Sequence, residues 1–203
     1  MKDIESMRKT RPFCAGLGLV AKSLVANRKF YPKQRADEFV RIASVSDLNT
    51  TLARDFERYY REAAQKIRAL VGPLTDEQIW TRPYPYGNSI GHLLLHLTGN
   101  LSYYIGAEMG GTGYVRNRPV EFTDTALHPK AELLAKFDVA IATVAAVLQK
   151  QSEQDWSAAY TAKGFEDCGD RFTAILRCAA HISHHTGQMI YLCKDLERGN
   201  GTF

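Results

Sequence analysis

The chain has 203 residues, 45% of them hydrophobic and 24% charged, which is the composition of a globular domain and excludes disordered or collagen-like chains. No run of about 18 uncharged apolar residues occurs, which excludes a membrane-spanning helix. The net charge of +4 is uneven: residues 1–40 hold 9 Lys and Arg against 4 Asp and Glu, and residues 41–203 hold 17 against 18. A near-neutral domain with no DNA-binding motif argues against a nucleic-acid partner.

Residues 1–40 read as a weakly structured N-terminal extension, followed by one domain over 41–203. The extension has a basic stretch, Arg8 to Arg11, and a short apolar run, Phe13 to Val20. Export through residues 7–30 is the alternative, but Asp3, Glu5 and Lys22 fit a secretory signal poorly. Cys14, Cys168, Cys178 and Cys193 show no CxxC spacing, so a zinc ribbon is not expected. Scattered cysteines suit a reducing compartment, and the expected location is cytoplasmic.

From Ser46 or Asp47 the pattern becomes helical. Leu48, Leu52, Phe56, Tyr59/Tyr60, Ala63, Ile67 and Leu70 recur every three or four residues until Gly72-Pro73. Thr75 to Gln78 has the form of a capping box for a short turn ending at Trp80. Asn88 or Ser89 caps a second helix that runs to about Met109, and Gly110 to Gly113 ends it. A polar loop, 114–128, contains Arg116, Arg118, Glu121 and Phe122. Pro129 suits the first position of a third helix, to about Lys150. Ser152 to Trp156 resembles Thr75 to Trp80, residues 158–169 form a short extended link, and a fourth helix covers Arg171 to about Leu196. The predicted fold is all-α: an antiparallel four-helix bundle with a long loop after the second helix and a faint internal repeat.

Histidines carry the functional signal. His92 and His96 lie four apart on the second helix, and His181 and His185 four apart on the fourth. Residues at i and i+4 project about 40° apart from one face. Two such pairs can converge in a bundle core, where metal sites are built. Neutral imidazole suits zinc, nickel, copper or iron, and three imidazoles with an open position suit catalysis. A lone histidine would read as packing; two pairs on separate helices do not. Cys178, three residues before His181, could add a thiolate or be plain core. Arg116 and Arg118 could clamp a carboxylate, pair with Glu121, or cap helix ends. Cys168 and His128 read as exposed, Trp80 and Trp156 as packing residues, and Gly187 as a place for close helix approach.

Three motifs resemble the DinB/YfiT-like metalloprotein superfamily, in particular a bacterial branch of uncharacterised DinB-like proteins. They are Asn88-Ser-Ile with His96-Leu-Thr-Gly-Asn100, then Arg116-Asn-Arg118 with Glu121-Phe122, then His181-Ile-Ser-His-His185-Thr-Gly-Gln188. The resemblance spans roughly residues 45–197. It implies a bundle holding a divalent metal, zinc or nickel first and manganese or iron as alternatives, on His96, His181 and His185. His92 departs from the family pattern, which has an apolar residue there. His92, His184, Asn100 and Gln188 are then candidates for the hydrogen-bonding shell around the ligands. The resemblance also implies a homodimer and a small-molecule substrate. The implied chemistry is activation of a low-molecular-weight thiol for S-transfer or isomerisation. Metal-water hydrolysis, or a non-catalytic metal-binding stress or scaffold role, are the other readings.

Overall fold

The computed structural model describes residues 48–199. The expectations for residues 1–40, including export, lie outside them. Seven α-helices occur among the described residues: α1 (Leu48–Val71), α2 (Asp76–Trp80), α3 (Ile90–Leu101), α4 (Val120–Thr123), α5 (Lys130–Gln149), α6 (Glu153–Trp156) and α7 (Arg171–Gly199). A π-helical segment (Ser102–Ala107) continues α3, and a two-residue pair of antiparallel strands, β1 (Ala159–Tyr160) and β2 (Gly169–Asp170), precedes α7. The fold is all-α, as the periodicity predicts. No described helix is long and apolar enough to cross a membrane.

The four long helices share one core. It takes Tyr60, Ile67 and Val71 from α1 and Leu93, Leu94, Leu97 and Leu101 from α3. From α5 come Leu133, Phe137, Val144 and Leu148, and from α7 Ile175, Ile182 and Met189. Most of these positions recur at three, four or seven residues, so each helix buries one stripe. α1 packs against α5 and α7, and α3 packs against the same two. The connection that spans 114–128 therefore joins neighbours, α3 and α5. It is the α2 and α6 connections that join helices without a comparable direct contact.

The internal repeat is visible in the caps. Thr75 accepts the Gln78 N–H while the Gln78 side chain accepts the Thr75 N–H, and Ser152 and Asp155 do the same. Each turn ends in a tryptophan that fastens the other half. Trp80 Nε1 donates to the His128 carbonyl at 3.0 Å, just before α5, and Trp156 Nε1 donates to Asn49 Oδ1 at 2.6 Å, at the start of α1. Thr75→Ala or Ser152→Ala removes one capping acceptor, and each is expected to cost about 1 kcal/mol in denaturant unfolding. A change within error of zero would mean that the turns are held by their tryptophans alone.

Two boundaries differ from the sequence reading. Pro129 is the N-cap of α5 rather than its first residue. The second long helix does not end as an α-helix. Its last turns widen, with Glu108 N–H bonding Tyr103 O at 3.0 Å and Gly110 N–H bonding Ile105 O at 3.0 Å, both five residues back. Gly111, at φ +66°, then turns the chain out of the helix.

Candidate metal centre

The site is assembled from α3, α7 and the loop between α3 and α5. Ser89 caps α3 by accepting the His92 N–H, and this fixes the register that points His96 inward. On α7, His181 and His185 lie one turn apart. Their Nε2 atoms meet that of His96: His96 Nε2 lies 2.8 Å from His181 Nε2, which lies 3.2 Å from His185 Nε2. The three ligand atoms lie within 4.8 Å of one another. His96 and His185 are buried and His181 is half-buried.

The outward nitrogens are also engaged. His96 Nδ1 faces Glu121 Oε2 at 2.7 Å, and His185 Nδ1 faces Gln188 Oε1 at 2.7 Å. A carboxylate and an amide oxygen can only accept, so both Nδ1 atoms carry the proton and both Nε2 lone pairs point at the triad's centre. Glu121 is in turn gripped by Arg116, at 2.6 Å from Nε and 2.8 Å from Nη2. Both side chains of that pair are 7% exposed. Burial alone would raise the Glu121 pKa. The hydrogen bonds from His96 and Arg116 outweigh it and hold the carboxyl below its usual range. Burial lowers His181 to about 3, helped by the facing charges of His185 and His96. Burial likewise lowers His185 to about 4, against the opposing bond to Gln188.

Three neutral imidazoles with converging lone pairs repel one another, and a divalent cation removes that conflict. Tetrahedral ligands at about 2.0–2.1 Å from zinc stand roughly 3.3 Å apart, close to the spacings seen here. The donor set therefore fits a divalent metal, and the carboxylate-to-histidine bond is the usual support for a metal-binding imidazole.

Both histidine pKa values lie below the roughly 6.5 of an unfolded chain, so the unfolded state binds more protons in the window between them. The metal-free protein should lose stability as pH falls from about 6.5 toward about 4, and His181→Ala should flatten that slope in thermal unfolding. An unchanged slope would place the acid sensitivity elsewhere.

The other candidate residues sit as follows. His92 is buried but turned away from the triad. Its Nδ1 meets Ser89 Oγ, and its Nε2 lies 3.0 Å from Arg82 Nη2. Burial, then the Arg82 charge, lowers its pKa. His184 is exposed, with its ring 5.0 Å from that of His185. Asn100 is buried and Gln188 touches His185.

Cys178 lies in the apolar core, where burial raises its thiol, and the three-histidine cluster does not include it. Cys168 is also buried rather than exposed. His128 is half-buried between Asp124 and Glu132. Gly187 has open space where a side chain would go, so it serves no close approach. That role belongs to Gly99: a Cβ there would stand 2.1 Å from Glu121 Oε1. Sequence spacing pairs Glu121 with an arginine and does not connect it to His96, 25 residues away. Glu121 sits in α4, which at four residues is too short to show a periodicity.

Comparison with known proteins adds the family. A family model described as "Protein of unknown function (DUF1572)" matches residues 47–202. The chain belongs to DUF1572. No curated protein matches. Two solved structures are similar to this DUF1572 chain. One is a conserved protein from Enterococcus faecalis: TM-score 0.58, 16% identity, covering 70% of this chain and 95% of that one. The other is a DinB-like protein from Bacillus cereus: TM-score 0.56, 14% identity, covering 70% and 91%. At these identities the likeness is one of fold, and the DUF1572 fold is DinB-like.

Proposed function

We propose that His96, His181 and His185 hold one divalent metal, zinc or nickel first and manganese or iron as alternatives, and that the protein is a metal-dependent enzyme acting on a small molecule. The observation that carries this reading is the convergence of three Nε2 lone pairs on one point, with Glu121 and Gln188 holding two of the rings in that tautomer. A bound metal would supply a Lewis acid that lowers the pKa of a coordinated thiol or water.

The chain's own residues set the rest. Glu121 and Arg116 lock His96, and Gln188 locks His185. His92 and Cys178, the two candidates for a fourth protein ligand, are placed elsewhere, and His96 and His181 line a cavity of about 1190 Å³. A ligand set that opens on a cavity favours catalysis over storage or a scaffold role. Within catalysis, the resemblance to DinB-like proteins favours activating a low-molecular-weight thiol for S-transfer or isomerisation over hydrolysis.

The test is elemental analysis of the purified protein, then absorption spectra of the cobalt-substituted form on adding mercaptoethanol. About one equivalent of metal and a new thiolate-to-cobalt band are expected. No metal after incubation with zinc, nickel or manganese would remove the physical basis for an enzyme. Metal without the band would favour hydrolysis.

A further inference from the structure

The cavity beside the triad carries chemistry that the metal centre does not use. Asn100, one turn past His96, lines it, is 4% exposed, and leaves Oδ1 without a hydrogen-bond partner. A buried amide end left unpaired is costly, and a bound polar group would recover that cost. A half-turn of the amide exchanges its ends, so the unpaired end can equally be the N–H donor that an anionic oxygen requires.

The second observation is Arg118. It is exposed on the same cavity wall, and among the described residues it pairs with no carboxylate. Its guanidinium lies over the Phe122 ring at 5.4 Å, and that ring packs on His96 at 4.7 Å between centroids. Arg118 thus stands one aromatic ring from the triad, with its planar fork free. The other arginines of the wall are committed, Arg116 to Glu121 and Arg177 to Asp167. Lys163 adds a further positive charge. The single carboxylate among the lining residues, Glu108, is engaged by the Tyr103 hydroxyl.

We infer that this cavity takes a small molecule bearing a carboxylate, gripped by the Arg118 fork, with the Asn100 amide bonding the same molecule nearer the triad. The inference rests on the metal-enzyme reading, because it supposes that another atom of that molecule reaches the metal. A free guanidinium fork matches the two oxygens of a carboxylate and discriminates against a neutral amide of equal size.

The test uses metal-loaded wild type and Arg118→Gln, titrated calorimetrically with mercaptopropionate and its neutral counterpart mercaptopropionamide. The acid is expected to bind wild type at least about tenfold more tightly than the amide. Arg118→Gln should erase that preference while leaving metal content and affinity for the amide unchanged. Equal affinities in wild type, or a preference that survives Arg118→Gln, would overturn the inference. The same comparison by saturation-transfer NMR on metal-free protein separates the two readings. Arg118-dependent selectivity for the acid in a chain that takes up no metal sinks the metal centre alone. Metal uptake without selectivity sinks the carboxylate site alone.

Discussion

Replacing any one of His96, His181 and His185 by alanine is expected to take the protein from about one bound divalent metal to none, while His92→Ala keeps its metal. Removing one of three nitrogens leaves two ligands, which costs more than the 10–100-fold in affinity typical of losing an outer hydrogen-bonding partner. The His92 control is informative because spacing treats it like His96: both lie on one face of α3, about 40° apart. The environments differ. His92 points at the Arg82 guanidinium, which repels a cation, and at Ser89. His96 points at two imidazoles, with a carboxylate behind it. Elemental analysis and zinc competition titrations of the four variants decide the matter. Metal retained after loss of a triad histidine, or lost with His92, would mean that another ligand set operates. Thermal unfolding in chelator checks that each variant folds, since the metal-free state should melt without the wild-type metal increment.

That pair of histidines also marks how far the sequence could be read. The long helices were legible because their buried positions keep the period of the helix and their ends carry Gly72-Pro73, Ser89 and the Gly110–Gly113 stop, and the two short turns because Thr75 and Ser152 cap them. The partnership of His181 and His185 was legible for the same reason, being local to one helix, and so was Gln188, three residues past His185. The choice of His96 over His92 came from the family resemblance and not from spacing, because it depends on Arg82 and Glu121, which reach α3 from flanking segments. Glu121 is 25 residues from His96 and sits in a four-residue helix that no periodicity can announce. Gly187 and Gly99 show the same limit. Both follow a histidine and a threonine within a few residues, yet only Gly99 has a side chain pressed against it, and the loop supplies that side chain. The widening of α3 into a π-helical segment left no mark on the apolar pattern either.

Glu121 is therefore the residue whose alteration should show most about how the site is built. Glu121→Gln keeps the shape and retains an amide oxygen for His96 Nδ1, but it removes the charge. Two effects are expected, and they separate. Metal affinity should fall about 10–100-fold, because the ring loses the charge-assisted bond that holds its tautomer and raises its basicity. Stability should fall as well, by about 3–5 kcal/mol, because Arg116 is left buried with an unpaired charge. Adding Arg116→Met to Glu121→Gln removes the stranded charge. The double variant should recover most of the lost stability and none of the lost metal affinity. Denaturant unfolding with metal chelated, and zinc competition in parallel, measure the two quantities independently. Recovery of both together would mean that Glu121 acts on the metal only by holding the loop in place. A third variant probes the same contact from the opposite side. Gly99→Ala places a methyl group 2.1 Å from Glu121 Oε1, the oxygen that Arg116 Nε holds, so the carboxylate must shift against both His96 and Arg116 while its charge stays beside the guanidinium. Loss of metal affinity with a smaller loss of stability than Glu121→Gln is the expected result, because the carboxylate is displaced but Arg116 is not left with an unpaired buried charge.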